Sequence, residues 1–123
     1  MRILVCGGRD FTDWKFVHKW LYDYCTKNFN WPTAYPEIIS GMARGVDTIA
    51  ANWARDNWIP VHEFPADWKT HGKAAGFIRN QQMLDEGKPD LVVAFPGGAG
   101  TADMIHRAKK AGVRVIEVKY DTI

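Results

Sequence analysis

The chain has 123 residues, enough for one domain with a real core but not for two. Hydrophobic residues make up 46% and charged residues 24% of the sequence, as in ordinary soluble globular proteins. The formal net charge is only +2 and the pI is about 8.6. Dedicated nucleic-acid binders carry a more concentrated basic face, so the charge argues against nucleic acid as a partner.

The sequence carries no pattern typical of a membrane or secreted protein. The apolar run over residues 3–6 is too short for a secretion signal. No stretch approaches the roughly 20 apolar residues of a membrane span. Cys6 and Cys25 are typical of free thiols in a reducing compartment. The histidines lack metal-ligand spacing. We therefore expect a cytoplasmic protein with no membrane partner, no metal and no cofactor.

Apolar runs typical of buried strands alternate with helical patterns along the chain. The predicted strands cover residues 3–6, 37–40, 61–64, 91–95 and 114–118. The predicted helices begin at about Trp14, Val46, Lys73 and Ala102. This alternation predicts an α/β fold over residues 1–123 as a single domain. The domain is Rossmann-like and doubly wound, with about five mainly parallel strands and helices on both faces.

The sequence also predicts how the helices begin, end and face the core. Thr12 or Asp13 is expected to cap the first helix, and Gly112 to end the last one. The third helix is predicted over residues 73–86, with Arg79 and Met83 sharing one face. The side chains of that helix expected to face the core are those of Ala74, Phe77, Ile78, Gln81 and Leu84.

The most informative stretch, Pro96-Gly97-Gly98-Ala99-Gly100-Thr101, joins the fourth strand to the fourth helix. A strand that leads through glycines into a helix presents backbone N–H groups and the positive end of a helix dipole to an anion. The stretch is not a Walker loop, because no Lys-Ser/Thr pair follows, and Asp103 stands where a dinucleotide fingerprint needs its third glycine. A tight turn would explain the glycines equally simply. We favour phosphate binding by Pro96, Gly97, Gly98, Gly100 and Thr101.

Two further glycine-bearing turns follow predicted strands. In doubly wound domains, ligands bind at the carboxyl ends of the strands, near the switch in strand order. Gly7 and Gly8 would let a ligand approach the backbone, and Arg9 would contact its phosphate or base. The alternative is a turn with solvated charges.

The turn after the second strand offers both polar and charged groups. Ser40 and Gly41 could hydrogen-bond a ligand, and Arg44 could pair with an anion. Asp47 could receive a ligand hydroxyl or hold Arg44 in place. A helix cap with surface charges is the simpler alternative.

Arg79 and Asn80 stand side by side on the third predicted helix. Arg79 would act as a phosphate clamp or electrophilic stabiliser, since its planar guanidinium suits phosphate. Asn80 would recognise a polar group of the ligand. A solvated helix face would also place such residues here.

Taken together, five motifs resemble the YspA-type branch of the SLOG superfamily, also called DUF2493, which is found in bacteria and phages. The motifs are, in chain order, Gly7–Asp10, Ser40–Asp47, Ala66–Trp68, Gly76–Met83 and Ala94–Asp103. The resemblance covers nearly the whole chain. It implies a Rossmann-like domain that binds nucleotides or nucleotide-derived ligands, in some members as a proposed sensor.

A related family, the lysine-decarboxylase-like LOG proteins, cleaves the base from nucleoside monophosphates. Its pattern is Arg-Lys-x-x-Met, followed by Pro-Gly-Gly-x-Gly-Thr-x-x-Glu. Arg79, Met83 and the phosphate loop match this pattern, whereas Asn80 replaces the lysine. Met104 stands at the glutamate position, and Asp103 lies one residue earlier. One residue is about 100° of rotation around a helix, so Asp103 need not point where that glutamate would.

Three functions follow as hypotheses. The first is binding of a nucleotide-like small molecule. The second is hydrolysis of a nucleotide N-glycosidic bond. There, Asp103 or Asp47 would stabilise the oxocarbenium-like ribose, and Arg79 would fix the phosphate. The third is a single-stranded nucleic-acid module, implied by a distant resemblance to the DNA-processing protein DprA and opposed by the weak charge. The resemblance also implies a homodimer.

Overall fold

The computed structural model describes residues 1–31 and 33–120. One five-stranded sheet forms the centre, in the order β3-β2-β1-β4-β5, and every neighbouring pair of strands is parallel. The strands are Arg2–Cys6 (β1), Glu37–Ser40 (β2), Val61–Glu63 (β3), Leu91–Ala94 (β4) and Arg114–Glu117 (β5). The Rossmann-like doubly wound α/β fold is therefore confirmed.

Helices cover both faces of the sheet. They are Trp14–Asn28 (α1), Val46–Asp56 (α2), Trp68–His71 (α3), Ala75–Gln82 (α4) and Ala99–Lys110 (α5). Successive residues of β1 point to opposite faces. Ile3 and Val5 pack in the core beneath α1 and α2, whereas Leu4 and Cys6 pack in the core beneath α5 and the turn after α4. Both faces of the central strand are buried, which is why its sequence is continuously apolar.

The predicted third helix is wrong in its extent. Instead of one helix over residues 73–86, α3 is followed by a 3₁₀ turn at Gly72–Ala74, then α4, then a π-helical turn at Met83–Gly87. Gly72 has a φ of +55°, in the left-handed region that glycine adopts easily. The chain can therefore change direction between α3 and α4.

The predicted orientation of this segment is also wrong. The apolar spacing predicts Phe77 and Ile78 in the core, but they are 42% and 43% exposed. The side chains of Arg79 and Asn80 are buried instead. Leu84 is buried as expected. The apolar period fails here because two polar side chains find hydrogen-bond partners inside the fold, which removes most of the cost of burying them.

The helix ends largely follow the sequence. Asp13 caps α1, where its carboxylate accepts a hydrogen bond from Phe16 N (3.1 Å). Gly112 follows α5 with a φ of +78°. Helix α5 begins at Ala99 rather than Ala102, so Gly100 and Thr101 lie in its first turn. Within residues 1–31 and 33–120, no helix has both the length and the apolar character needed to cross a membrane.

Candidate functional site

A cleft of about 330 Å³ opens where the strand order reverses, at the carboxyl ends of β1 and β4. This is the position at which doubly wound sheets bind their ligands. Its walls come from the turn after β1, the start of α2, the segment from α3 to α4, and the first turn of α5. The predicted site residues that line it are Gly7, Gly8, Arg9, Asp47, Arg79, Asn80, Gly98, Gly100 and Thr101.

The first turn of α5 forms the wall best suited to an anion. Gly98 is the N-cap residue, and no side chain of the described residues caps this helix end. The first helical hydrogen bond runs from Ala102 N to Gly98 O (3.0 Å), so the N–H groups of residues 99–101 have no partner within the helix. Gly98 and Gly100 border open space, since a Cβ at either would meet no atom within 4 Å. The helix dipole and these N–H groups favour a negative charge here.

Pro96 and Gly97 support this turn rather than line the cleft. Gly8 N donates a hydrogen bond to Pro96 O (2.9 Å), which ties the turn after β1 to the turn after β4. A Cβ at Gly97 would lie 2.2 Å from Thr101 Oγ1, so no side chain fits there. These residues hold two walls of the cleft together.

Arg79 is held in a defined position at the floor of the cleft. Its Nη1 donates to Gly41 O (2.6 Å), and its Nε donates to Asn80 Oδ1 (3.1 Å). A Cβ at Gly41 would lie 2.6 Å from that Nη1, so the guanidinium occupies the space a side chain would need. Because the guanidinium is fixed before any ligand arrives, little side-chain entropy would be lost when it binds a phosphate.

Asn80 links Arg79 to the first turn of α5. Its Nδ2 donates to Gly100 O (3.2 Å) and to Asp103 Oδ2 (3.0 Å). Asp103 also accepts a hydrogen bond from Arg107 Nε (2.8 Å) and does not line the cleft. Asn80, which replaces the lysine of the LOG pattern, therefore contacts Asp103, the carboxylate nearest to the glutamate position of that pattern. The carboxylate of Asp103 serves the packing of α4 against α5.

Asp47 is the buried carboxylate that lines the cleft. Its Oδ2 accepts a hydrogen bond from Ala43 N (3.3 Å). Burial raises the pKa of Asp47 to about 6, against the opposing effects of Arg79, the Ala43 N–H and Arg9. A carboxyl group that titrates near neutral pH inside a cleft can exchange a proton with a ligand.

The remaining predicted residues from the turn after β2 lie outside the main cleft. Ser40 is fully buried; its hydroxyl donates to Asp47 O (3.0 Å) and accepts from Met42 N (3.1 Å). Ser40 therefore positions the start of α2. Gly41 and Arg44 border a neighbouring hollow of about 280 Å³. Arg44 Nη2 lies 3.0 Å from Asp10 Oδ1, in an exposed ion pair.

The charges in the cleft favour an anion. Arg9, Lys73 and Arg79 line it, together with Asp10 and Asp47. Burial, and to a smaller extent the positive charge of Arg9, lowers the pKa of Arg79, while Asp47 opposes the shift. A bound anion would relieve the repulsion between the two guanidinium groups. Like charges gathered in a concave site attract the opposite charge from solution.

Several residues that line the cleft are not among the predicted site residues. Trp68 and Lys73 come from the segment between β3 and α4, and Phe77 comes from α4 itself; the course of this part of the chain was predicted incorrectly. The sequence does contain a capping pattern for α3: Asp67 Oδ1 accepts a hydrogen bond from Thr70 N (3.1 Å), and the helix starts at Trp68.

Cys6 forms part of the lining as well. Burial raises the pKa of its thiol far above the ordinary range, which leaves the thiol neutral and weakly nucleophilic.

Asp47→Asn is expected to change how stability depends on pH. The pKa of Asp47 in the folded protein is about 6, above its ordinary 3.8. The folded state therefore binds more protons between these values. The free energy of unfolding should fall by about 2 kcal/mol as the pH rises from about 4 to about 6, and by about 3 kcal/mol in all from well below pH 4 to well above pH 6. Asp47→Asn should lack this decrease and should be the more stable protein at neutral pH. Urea denaturation across this range measures the difference, and parallel profiles for the two proteins would contradict the assignment.

Two sequence comparisons relate this chain to known proteins. Over residues 1–71, the sequence matches the family described as the YspA, cpYpsA-related SLOG family. The chain is also similar to the Gene 61 protein of Mycobacterium phage D29, with 36% identity over an alignment that covers 94% of each chain. That name states no activity, and the family suggests a nucleotide-related ligand at most. The chain belongs to the YspA, cpYpsA-related SLOG family.

Proposed function

We propose that the protein binds a nucleotide or a nucleotide-derived ligand in this cleft and acts as a binding or sensor domain. One observation carries the proposal: the uncapped N-terminal end of α5 opens into a cleft that also holds the fixed guanidinium of Arg79. The N–H groups of residues 99–101 would bind the phosphate. The hydroxyl of Thr101 and the charge of Arg79 would add to them.

The size of the cleft supports a small-molecule ligand. Its volume of about 330 Å³ lies at the lower end of the range usual for small-molecule sites. The walls combine backbone N–H groups and guanidinium groups with the aromatic side chains of Trp68 and Phe77. The N–H and guanidinium groups suit a phosphate, and the aromatic side chains suit a planar base.

Hydrolysis of an N-glycosidic bond is the second candidate, and Asp47 is the observation that favours it. Asp47 lines the cleft, and its pKa is raised to about 6, mainly by burial. It would stabilise a positively charged ribose and orient water. Asp103 is less suitable for this role, because Asn80 and Arg107 both hydrogen-bond its carboxylate.

Titration with AMP, combined with chromatography for free adenine, distinguishes these functions. We expect saturable binding of AMP without release of adenine. Adenine formed by the parent protein but not by Asp47→Asn would establish the hydrolase instead. Failure of every nucleoside monophosphate and diphosphate to bind would contradict the proposal. Tight binding of a single-stranded oligonucleotide with a steep salt dependence would favour a nucleic-acid module.

A further inference from the structure

We infer that Trp68 is the stacking platform for the base of the ligand and makes the site prefer nucleotides over sugar phosphates. The inference rests on the proposed function, because it takes the phosphate to lie at the N-terminal end of α5. Trp68 is the first residue of α3, and its side chain lines the cleft while remaining 47% exposed. An aromatic ring left open inside a cleft offers apolar surface that a ligand can cover.

The position of Trp68 follows from the topology of the sheet. The main cleft lies over β1 and β4, whereas the neighbouring hollow is lined by residues 41–44 after β2 and residues 65–66 after β3. Trp68 lines both spaces. It therefore stands at the border of the main cleft on the β2 side, while the N–H groups of α5 stand on the β4 side. A ligand with its phosphate at α5 would extend towards the indole.

The indole is held in place although it is exposed. Asp67 caps the turn that begins at Trp68. On the other side, a Cβ at Gly76 would lie 3.5 Å from Cη2 of the ring, so Gly76 packs directly against the indole. A fixed ring loses little conformational freedom when a base stacks on it.

Arg9 shows that the face of the ring accepts a planar group. The central carbon of its guanidinium lies 5.0 Å from the centroid of the indole. Stacking of a base on an aromatic side chain is generally the stronger contact of the two. A base can therefore replace the guanidinium, and Arg9, itself exposed, can then turn to the phosphate.

Two probes that differ only in the base test the inference. AMP and ribose 5-phosphate are titrated into the parent protein, Trp68→Ala and Trp68→Phe. Trp68→Ala should weaken AMP binding about 5- to 150-fold and change ribose 5-phosphate binding less than about 2-fold. Trp68→Phe should keep most of the AMP affinity. Trp58→Ala is the control, because Trp58 is 91% exposed and does not line the cleft.

Other results of these titrations would contradict either the role of Trp68 or the proposed function. Equal weakening of both probes would overturn the inference, because Trp68 would then shape the phosphate site rather than recognise the base. Unchanged AMP affinity in Trp68→Ala would also overturn it and would leave the proposed function intact. If neither probe nor any other nucleoside monophosphate or diphosphate binds the parent protein, the proposed function itself fails. AMP should also quench the fluorescence of the parent more than that of Trp68→Phe, and equal quenching would contradict the contact.

Discussion

Gly98→Asp should fold like the parent protein and bind AMP at least about 100-fold more weakly, a loss of about 2.8 kcal/mol. Gly98 is the N-cap residue of α5, and a Cβ there meets no atom within 4 Å. An aspartate at this position would cap the helix by accepting hydrogen bonds from the first-turn N–H groups. Its carboxylate would then occupy the place proposed for the phosphate and repel it. Calorimetric titration measures the affinity.

Gly98→Asn is the matched control for Gly98→Asp, because it adds a side chain of the same size without the charge. It should weaken AMP binding much less. Thermal unfolding should show both variants at least as stable as the parent, since Asp and Asn are better N-caps than glycine by a few tenths of a kcal/mol. If Gly98→Asp bound AMP as tightly as the parent protein does, the proposal that the phosphate binds at the N-terminal end of α5 would be wrong.

Arg79→Met should lose both AMP binding and about 3 kcal/mol of stability. Arg79 is only 9% exposed, and its guanidinium donates hydrogen bonds to Gly41 O and Asn80 Oδ1. Its removal leaves both oxygens without that donor. It also takes a neighbouring positive charge from the buried Asp47, whose pKa should then rise above its present value of about 6. Urea denaturation and AMP titration measure the two effects.

Arg107→Met is the control at the other end of the same network. Arg107 pairs with Asp103 on the partly exposed side of the α4–α5 contact, and it does not line the cleft. Its loss should cost about 1 kcal/mol or less and leave AMP affinity nearly unchanged. If Arg79→Met were as stable as Arg107→Met, or bound AMP like the parent, the role assigned to Arg79 would be wrong.

The fold could be predicted because its signals are local. A parallel sheet buried on both faces needs continuous apolar runs, and Leu91–Ala94 is such a run with every residue buried. Turns such as Gly7–Gly8 and Gly97–Gly98 follow those runs directly. Since the carboxyl ends of parallel strands share one edge, the turns had to meet there. The location of the cleft therefore followed from the order of the elements.

The details of the site could not be predicted because they depend on partners far apart in the chain. Arg79 and Asn80 are buried because Gly41 O and Gly100 O accept their hydrogen bonds, across 38 and 20 residues of sequence. Helical periodicity weighs apolar spacing alone, so it assigned Phe77 to the core. Nor could helical periodicity indicate that the Asp103 carboxylate would accept hydrogen bonds from Asn80 and Arg107. Such networks exist only once the fold has brought the partners together.

Amide NMR of the nitrogen-15-labelled protein during AMP titration most directly tests whether α5 holds the phosphate. The amide signals of Ala99, Gly100 and Thr101 should shift in a saturable manner, with smaller shifts at Gly8. Inorganic phosphate should move the same signals at higher concentration. Saturable AMP binding that left these amides unmoved and shifted residues elsewhere would contradict the phosphate site. So would the absence of any shift across the spectrum.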